Sequence, residues 1–321
     1  MNSALRPMST AEVLDRTFHL YRNNFVLFVG ISTVAYILTL VTHLAMLSIF
    51  GSVAVRSSIN ASNPGVFLAT AGISMITYLV VHALASGATV HAVSMVHLGR
   101  TGSISQSYAA IRPFFFRILN IVISVFIRAA GPLLIVYGLF TVAAMAVPRQ
   151  SNDPGMLAML GATMLVLFGA LIVGLVWMAR AFCRYAFAVP ACALERLSAR
   201  NALKRSKLLS KGSLSRLFLV GLLTGLIGLV FTILFQLPVL IANHTWIASG
   251  HFSSLSLAAL QFADFAAKAL ASPIATIAIA LLYYDERIRK EAFDLQWMMQ
   301  SLAPAVSQAT AATSSGASVV T

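Results

Sequence analysis

The stretch LFLVGLLTGLIGLVFTILFQLPVLI, residues 217–241, decides the fold, because it runs for 25 residues without a charged side chain. About 20 apolar residues in a helix cross the hydrocarbon core of a bilayer, so this stretch predicts a membrane-spanning helix. The segment before it, residues 196–216, holds seven Lys and Arg and no Asp or Glu. Because short cytoplasmic loops carry an excess of positive charge, this end of the span is predicted to lie in the cytoplasm.

Five further stretches have the same character. The predicted spans cover residues 26–50, 66–98, 118–147, 156–189, 217–241 and 257–284. Of the 321 residues, 59% are hydrophobic and 10% are charged, whereas about 25% of the residues in a soluble domain are charged. We therefore predict an all-α fold, in which residues 1–302 form a six-helix transmembrane bundle. The Ala, Ser and Thr of residues 303–321 predict a disordered cytoplasmic tail.

Positive charge alternates along the segments that join the spans. The segments before the first, third and fifth spans and after the sixth are basic, whereas each loop between them contains at most one Lys or Arg. This alternation predicts that both termini are cytoplasmic. The chain has 22 Lys and Arg against 9 Asp and Glu. Because the bases cluster beside apolar spans, we expect membrane lipids with anionic headgroups as partners, and not nucleic acid.

Each basic segment is predicted to form a short amphipathic helix on the membrane surface. The predicted helices cover residues 9–24, 103–116, 194–212 and 285–302. The first opens with Ser9 and Glu12 at the spacing of a capping box. It also aligns with the third helix, since Ser9 lies 189 residues before Ser198. Two interpretations remain open: three repeats of a surface helix followed by a hairpin of spans, or chance similarity between apolar sequences.

The third surface helix carries the main candidate binding residues. If residues 196–211 are helical, five cations fall within about 80° of arc and form one stripe. These candidate contacts to lipid headgroups are Arg196, Arg200, Lys204, Lys207 and Lys211. One interpretation is a topology signal whose side chains also reach lipid phosphates. The other is a binding face for a specific anionic lipid or a protein partner.

Charged residues also occur inside or near the ends of the spans. Arg128 lies well inside the third span, and a charge at that depth usually faces the protein interior or a wet cavity. It is the candidate intramembrane polar site, and the alternative is that it snorkels to the cytoplasmic headgroups. Asp264 and Lys268, four residues apart near the outer end of the sixth span, are predicted to form an ordinary surface pair.

Small residues predict where helices pack closely. Ala83 with Gly87 in the second span, and Gly221 with Gly225 in the fifth, have the small-xxx-small spacing of close helix contacts.

The sequence shows no P-loop, no nucleophile elbow and no paired-carboxylate motif. We therefore predict a non-enzymatic protein without catalytic, cofactor-binding or metal-binding residues. The four histidines of the first two spans lack the spacing of metal ligands, and the two cysteines are predicted to be free thiols. These residues are His43, His82, His91, His97, Cys183 and Cys192.

Three phrases in the chain resemble a known family. They are STAEVLDRTFHLYRNNF at residues 9–25, ALERLSARNALKRSKLLSKG at residues 193–212 and LLYYDERIRKEAFDL at residues 281–295. In this order they resemble the membrane domain found with some glycerophosphoryl diester phosphodiesterases and in stand-alone bacterial relatives. The resemblance implies a multi-pass protein of the bacterial inner membrane. It brings no catalytic residues, because in the fused proteins the hydrolytic chemistry resides in a separate barrel domain that this chain does not match.

The leading hypothesis is a membrane protein that anchors, modulates or assembles partners through cationic helices in contact with lipid. The alternative is a transporter or channel for a small or lipid-like solute, which Arg128 and the repeat favour. The least favoured hypothesis is a glycerophosphodiester hydrolase that acts alone.

Overall fold

Six long helices and four short ones make up the described part of the chain. The computed structural model describes residues 8–51, 64–97, 99–145, 154–243 and 253–291. The long helices are α2 (Phe25–Phe50), α3 (Pro64–His97), α5 (Phe115–Met145), α6 (Pro154–Tyr185), α9 (Leu214–Ala242) and α10 (Ser254–Glu291). The short helices are α1 (Thr10–Asn23), α4 (Ile104–Ile111), α7 (Ala188–Glu195) and α8 (Ala199–Ser210).

The predicted all-α six-helix bundle is confirmed. Each long helix contains a segment long and apolar enough to cross a membrane, and no strand occurs in the described ranges. A short 3-10 turn, Arg112–Phe114, joins α4 to α5. The predicted tail at residues 303–321 lies outside the described residues.

Helix α10 is the centre of the bundle. It packs against α2, α3, α9 and α1, and half of its most apolar window is buried. Helix α6 is the opposite extreme, because only 6% of its apolar window is buried and its main partner is α5. The α5–α6 hairpin is therefore peripheral, and most of its apolar surface points outward, as expected for helices that face lipid.

The order of one short helix followed by two long ones occurs three times, as α1–α2–α3, α4–α5–α6 and α8–α9–α10. In each short helix the residues four and eight positions after the N-cap serine are buried. These are Val13 and Thr17 after Ser9, Ser107 and Ile111 after Ser103, and Ala202 and Ser206 after Ser198. Burial of equivalent positions supports the repeat over chance similarity.

The capping box of α1 is confirmed, since the Ser9 hydroxyl accepts from the Glu12 N–H at 3.2 Å and the Glu12 carboxylate accepts from the Ser9 N–H. Part of the apolar side of this helix packs against the protein, while Phe18 is 43% exposed. The Met8 N–H donates to Asp285 and the Tyr21 hydroxyl donates to the Leu270 carbonyl at 2.9 Å. Met8 directly precedes Ser9, the N-cap of α1, and Tyr21 lies in its last turn, so both ends of α1 are bonded to α10, where Val13, Thr17 and Tyr21 are buried.

Two predicted surface helices have different boundaries in the structure. The segment at residues 194–212 is broken, because Arg196 ends α7 with a left-handed backbone at φ 54° and α8 begins only at Ala199. The segment at residues 285–302 is not a separate helix over its described part, since α10 continues without a break to Glu291. The physical reason is that Asp285 and Glu286 are neutralised inside the protein and do not mark a water interface.

Candidate functional site

Two buried carboxylates form the centre of what we call the basic end of the bundle, where α1, α4 and α8 lie. The side chains of Asp285 and Glu286 are 1% and 4% exposed. Arg216 at the start of α9 pairs with both of them, at 3.2 Å from Glu286. Arg289 lies 2.8 Å from Asp285, and Lys290 lies 3.2 Å from Glu286. Charges this deeply buried require such pairing, because an unpaired carboxylate would be strongly destabilising.

The same cluster joins distant parts of the chain to α10. The Met8 N–H donates to the Asp285 carboxylate at 2.6 Å, and the Met8 carbonyl accepts from the Arg216 guanidinium at 2.6 Å. Lys290 donates to the carbonyl of Lys211 at 2.7 Å, just after α8. Of these contacts, only the pairing of Glu286 with Lys290 follows from the i,i+4 spacing of the sequence. The acidic pair directly after an apolar run was the signal that could have revealed the cluster.

Glu195, the last residue of α7, is the centre of a second cluster. It accepts from the hydroxyl of Tyr283, which is itself fully buried. Arg205 lies 3.3 Å from the Glu195 carboxylate and Arg287 lies 3.8 Å from it. The cations of residues 196–216 therefore have two roles. Arg205 and Arg216 neutralise internal carboxylates, whereas other cations of this segment point outward.

Helix α8 has one buried and one cationic side. Its buried side consists of small and apolar residues, namely Ala202, Leu203, Ser206, Leu209 and Ser210. The exposed side carries Arg200, Lys204 and Lys207, and the exposed Lys211 follows the helix. No carboxylate of the described residues forms an ion pair with these four cations. We call these four residues the α8 cationic face.

The predicted stripe of five cations is wrong in one member. Arg196 lies outside α8 in the left-handed turn between helices. Its guanidinium lies 5.9 Å from the centre of the Phe114 ring, and its carbonyl accepts from Arg117. It is exposed at the basic end but does not extend the helical stripe.

Arg128 is exposed on the outside of the α5–α6 hairpin and does not point into the bundle core. Its guanidinium donates to the Ser124 carbonyl at 2.9 Å, one turn nearer the start of α5. It also lies 5.9 Å from the centre of the Tyr185 ring, and the Lys207 ammonium lies 5.4 Å from the same ring. The Trp177 indole donates to the Arg128 carbonyl at 3.0 Å. The structure thus brings together Arg128 and Lys207, which sequence reasoning placed in separate candidate sites.

The Asp264–Lys268 pair is partly enclosed. The two charges are 2.7 Å apart, and the Asp264 side chain is 22% exposed. Gln236 on α9 donates to Asp264 at 3.4 Å, so the pair lies between α9 and α10. The i,i+4 pair is therefore present, and its carboxylate is more enclosed than in an ordinary surface pair. Helix α10 already extends ten residues before Asp264, and its neighbour α9 covers the carboxylate.

The structure confirms one of the two close helix contacts predicted from small residues and contradicts the other. A Cβ added at Gly87 would lie 2.9 Å from Ile118, so the predicted close contact at Ala83 and Gly87 is confirmed. A Cβ at Gly221 or Gly225 would meet no atom within 4 Å, so the predicted contact there is wrong within the described chain. Cys183 and Cys192 are both free thiols.

Comparison of the chain with protein-family models, with curated proteins and with solved structures found no match. Among the described residues, no group of three or more His, Cys, Asp or Glu side chains is arranged to hold a metal ion.

Proposed function

We propose that this multi-pass membrane protein binds anionic phospholipid headgroups through the α8 cationic face, and that it anchors or modulates partners there without catalysing a reaction. The observation that carries the proposal is the division of α8 into two sides. The side with small and apolar residues is buried in the protein, so the helix is packed against the bundle. The opposite side presents cations that no described carboxylate neutralises, and such cations attract the anionic surface of a membrane.

The proposal also includes the location. The charge alternation of the loops supports an orientation in which the basic end faces the cytoplasm. The resemblance of the three sequence phrases to a bacterial membrane-domain family supports the inner membrane. Hydrolysis of a glycerophosphodiester by the purified chain would contradict the non-enzymatic part of the proposal.

Neutralising three residues of the α8 cationic face should weaken lipid binding. We expect the Arg200→Gln, Lys204→Gln, Lys211→Gln triple variant to lose about tenfold in affinity for phosphatidylglycerol, since each exposed charge contributes modestly near an anionic surface. The measurement is the stabilisation of the full-length protein against thermal unfolding as phosphatidylglycerol is titrated into neutral detergent micelles.

The matched control removes three exposed bases elsewhere at the basic end, in the variant Arg22→Gln, Arg100→Gln, Arg112→Gln. It should keep the affinity of the wild type. Equal losses in both triple variants would show that net charge alone attracts the lipid, and the α8 cationic face would then have no special role.

The orientation predicts which sites react with a membrane-impermeant maleimide in intact cells. In a variant whose two cysteines are replaced by alanine, Asn201→Cys on α8 and His19→Cys on α1 should stay unlabelled until the cells are lysed. Ser62→Cys, two residues before α3 in the sequence, should be labelled in intact cells. Opposite labelling of residues 19 and 201 would overturn the six-span topology.

A second candidate function, transport of a small polar solute, is favoured by the end of the bundle opposite the basic end. A cavity of about 350 Å³ lies there, and its lining includes His43, Thr70, Ser74 and Gln261. His43 and Gln261 form a hydrogen bond of 2.9 Å across it. Flux of a polar solute into proteoliposomes, lost in the variant Gln261→Leu, would support this candidate over lipid binding.

A further inference from the structure

A second cavity lies in the half of the bundle nearer the basic end, between the α5–α6 hairpin and helices α3, α9 and α10. It has a volume of about 230 Å³, and apolar side chains form most of its wall. The wall includes Leu79, Ile121, Val125, Leu217 and Ile279. Gly221 also lines it, and because a Cβ there would meet no atom within 4 Å, the wall is open at this point.

The cavity opens on the outer surface of the bundle. Tyr78 and Phe182 line it and are 43% and 46% exposed, so its mouth lies between α3 and α6 on the side that faces lipid. An empty apolar space loses the dispersion contacts of its lining. In a bilayer, hydrocarbon chains are the apolar material available to restore those contacts.

One end of this cavity is cationic. Tyr185, the last residue of α6, lines the cavity, and its ring lies within reach of both the Arg128 guanidinium and the Lys207 ammonium. Neither cation forms an ion pair with a described carboxylate. Both cations pack against this one ring, and a phosphate at the edge of the ring would accept charge-assisted hydrogen bonds from them.

A polar pair lies on the cavity wall contributed by α3. The Tyr78 and His82 rings stack at 5.8 Å between centres, and both line the cavity. The cavity is therefore polar at His82 and Tyr78, cationic at Tyr185 and apolar elsewhere. This distribution suits an amphiphile with one anionic group better than a small polar solute.

We propose that this cavity binds one acyl chain of an anionic phospholipid whose phosphate lies between Arg128 and Lys207. The inference rests on the proposed function, because it names one specific lipid site at the basic end. It shares Lys207 with the α8 cationic face but is tested separately, since the triple variant of that face leaves both Arg128 and Lys207 in place.

Trp177 is a built-in reporter of this site, because its indole is hydrogen-bonded to the Arg128 backbone. The chain has three tryptophans, so replacing Trp246 and Trp297 by phenylalanine leaves Trp177 as the only indole. The full-length protein would be placed in phosphatidylcholine nanodiscs doped with equal fractions of brominated phosphatidylglycerol or brominated phosphatidylcholine, which quench nearby indoles. We expect the brominated phosphatidylglycerol to be enriched about tenfold at Trp177.

The variant Arg128→Gln, Lys207→Gln should reduce this preference to about onefold, whereas the Arg200, Lys204, Lys211 triple variant should retain it. A preference that persists in the double variant would overturn the site. If the triple variant loses its phosphatidylglycerol stabilisation while the unmodified protein shows no preference at Trp177, the proposed function stands and the cavity site fails. Displacement of the brominated lipid by soluble glycerol 3-phosphate would also overturn the proposal, because the site would then bind a free phosphate ester.

The acyl chain has its own test, with a matched pair of variants on α9. Gly221→Leu fills the cavity, whereas Gly225→Leu, one turn further on, meets equally open space and does not line it. After delipidation, native mass spectrometry should detect one bound phosphatidylglycerol on the wild type and on Gly225→Leu, and none on Gly221→Leu. Retention of the lipid in Gly221→Leu would place the acyl chain outside the cavity.

Discussion

Replacing Asp285 by alanine is expected to lower the free energy of unfolding by about 3 kcal/mol, because it removes a buried counter-charge from Arg216, whose side chain is 15% exposed. The carboxylate is 1% exposed and pairs with Arg216 and Arg289. It also accepts a hydrogen bond from the Met8 N–H. Glu286 continues to neutralise Arg216 at 3.2 Å, which keeps the loss at the lower end of the range for buried pairs. The measurement is unfolding of the purified protein in mixed detergent micelles as the fraction of denaturing detergent rises.

The control for this prediction is Asp15→Ala. Asp15 is exposed on α1, and removing an exposed charge away from such a cluster changes stability by about 0.5 kcal/mol at most. The Asp285 variant should in addition expose the segment around Met8 to proteases, whereas the control should not. Equal stability of the two variants would show that the carboxylate cluster contributes nothing to the bundle.

The number and type of the long helices could be predicted from the sequence because they follow from hydrophobic length alone. A run such as residues 217–241 has few alternatives to a membrane-spanning helix. The end of α10 could not be predicted in the same way. In the sequence, Asp285 and Glu286 look like residues at the boundary between membrane and water. Helix α10 continues past them because Arg216, from a distant part of the chain, pairs with both.

The candidate site was predictable in composition but not in arrangement. Five bases of residues 194–212 suggested one continuous cationic helix, yet a single left-handed residue, Arg196, separates α7 from α8. Tertiary contacts then decide which cations remain available, because Arg205 approaches Glu195 while Lys207 approaches Tyr185. Arg128 and Lys207 contact the same ring because α6 ends beside α8. No periodicity in the sequence predicts where α6 ends relative to α8.

The close contact at Gly87 predicts the second large effect on stability. Gly87→Leu should lower the free energy of unfolding by about 1–3 kcal/mol, the usual range for overpacking a close contact. Its Cβ would lie 2.9 Å from the Ile118 side chain and 3.5 Å from that of Ile111. Gly87→Ala should cost much less, because the atom it meets is the flexible end of Ile118, whereas the leucine branch has no space to occupy.

The matched control is Gly72→Leu in the same helix, where a Cβ meets no atom within 4 Å. It should unfold at the same detergent fraction as the wild type, so that any general effect of leucine in α3 is removed from the comparison. Gly87 packs against α4 and α5, the first two helices of the second repeat, so its substitution tests how the first and second repeats pack together. If Gly87→Leu were as stable as Gly72→Leu, the contact between α3 and the second repeat would be looser than the structure shows.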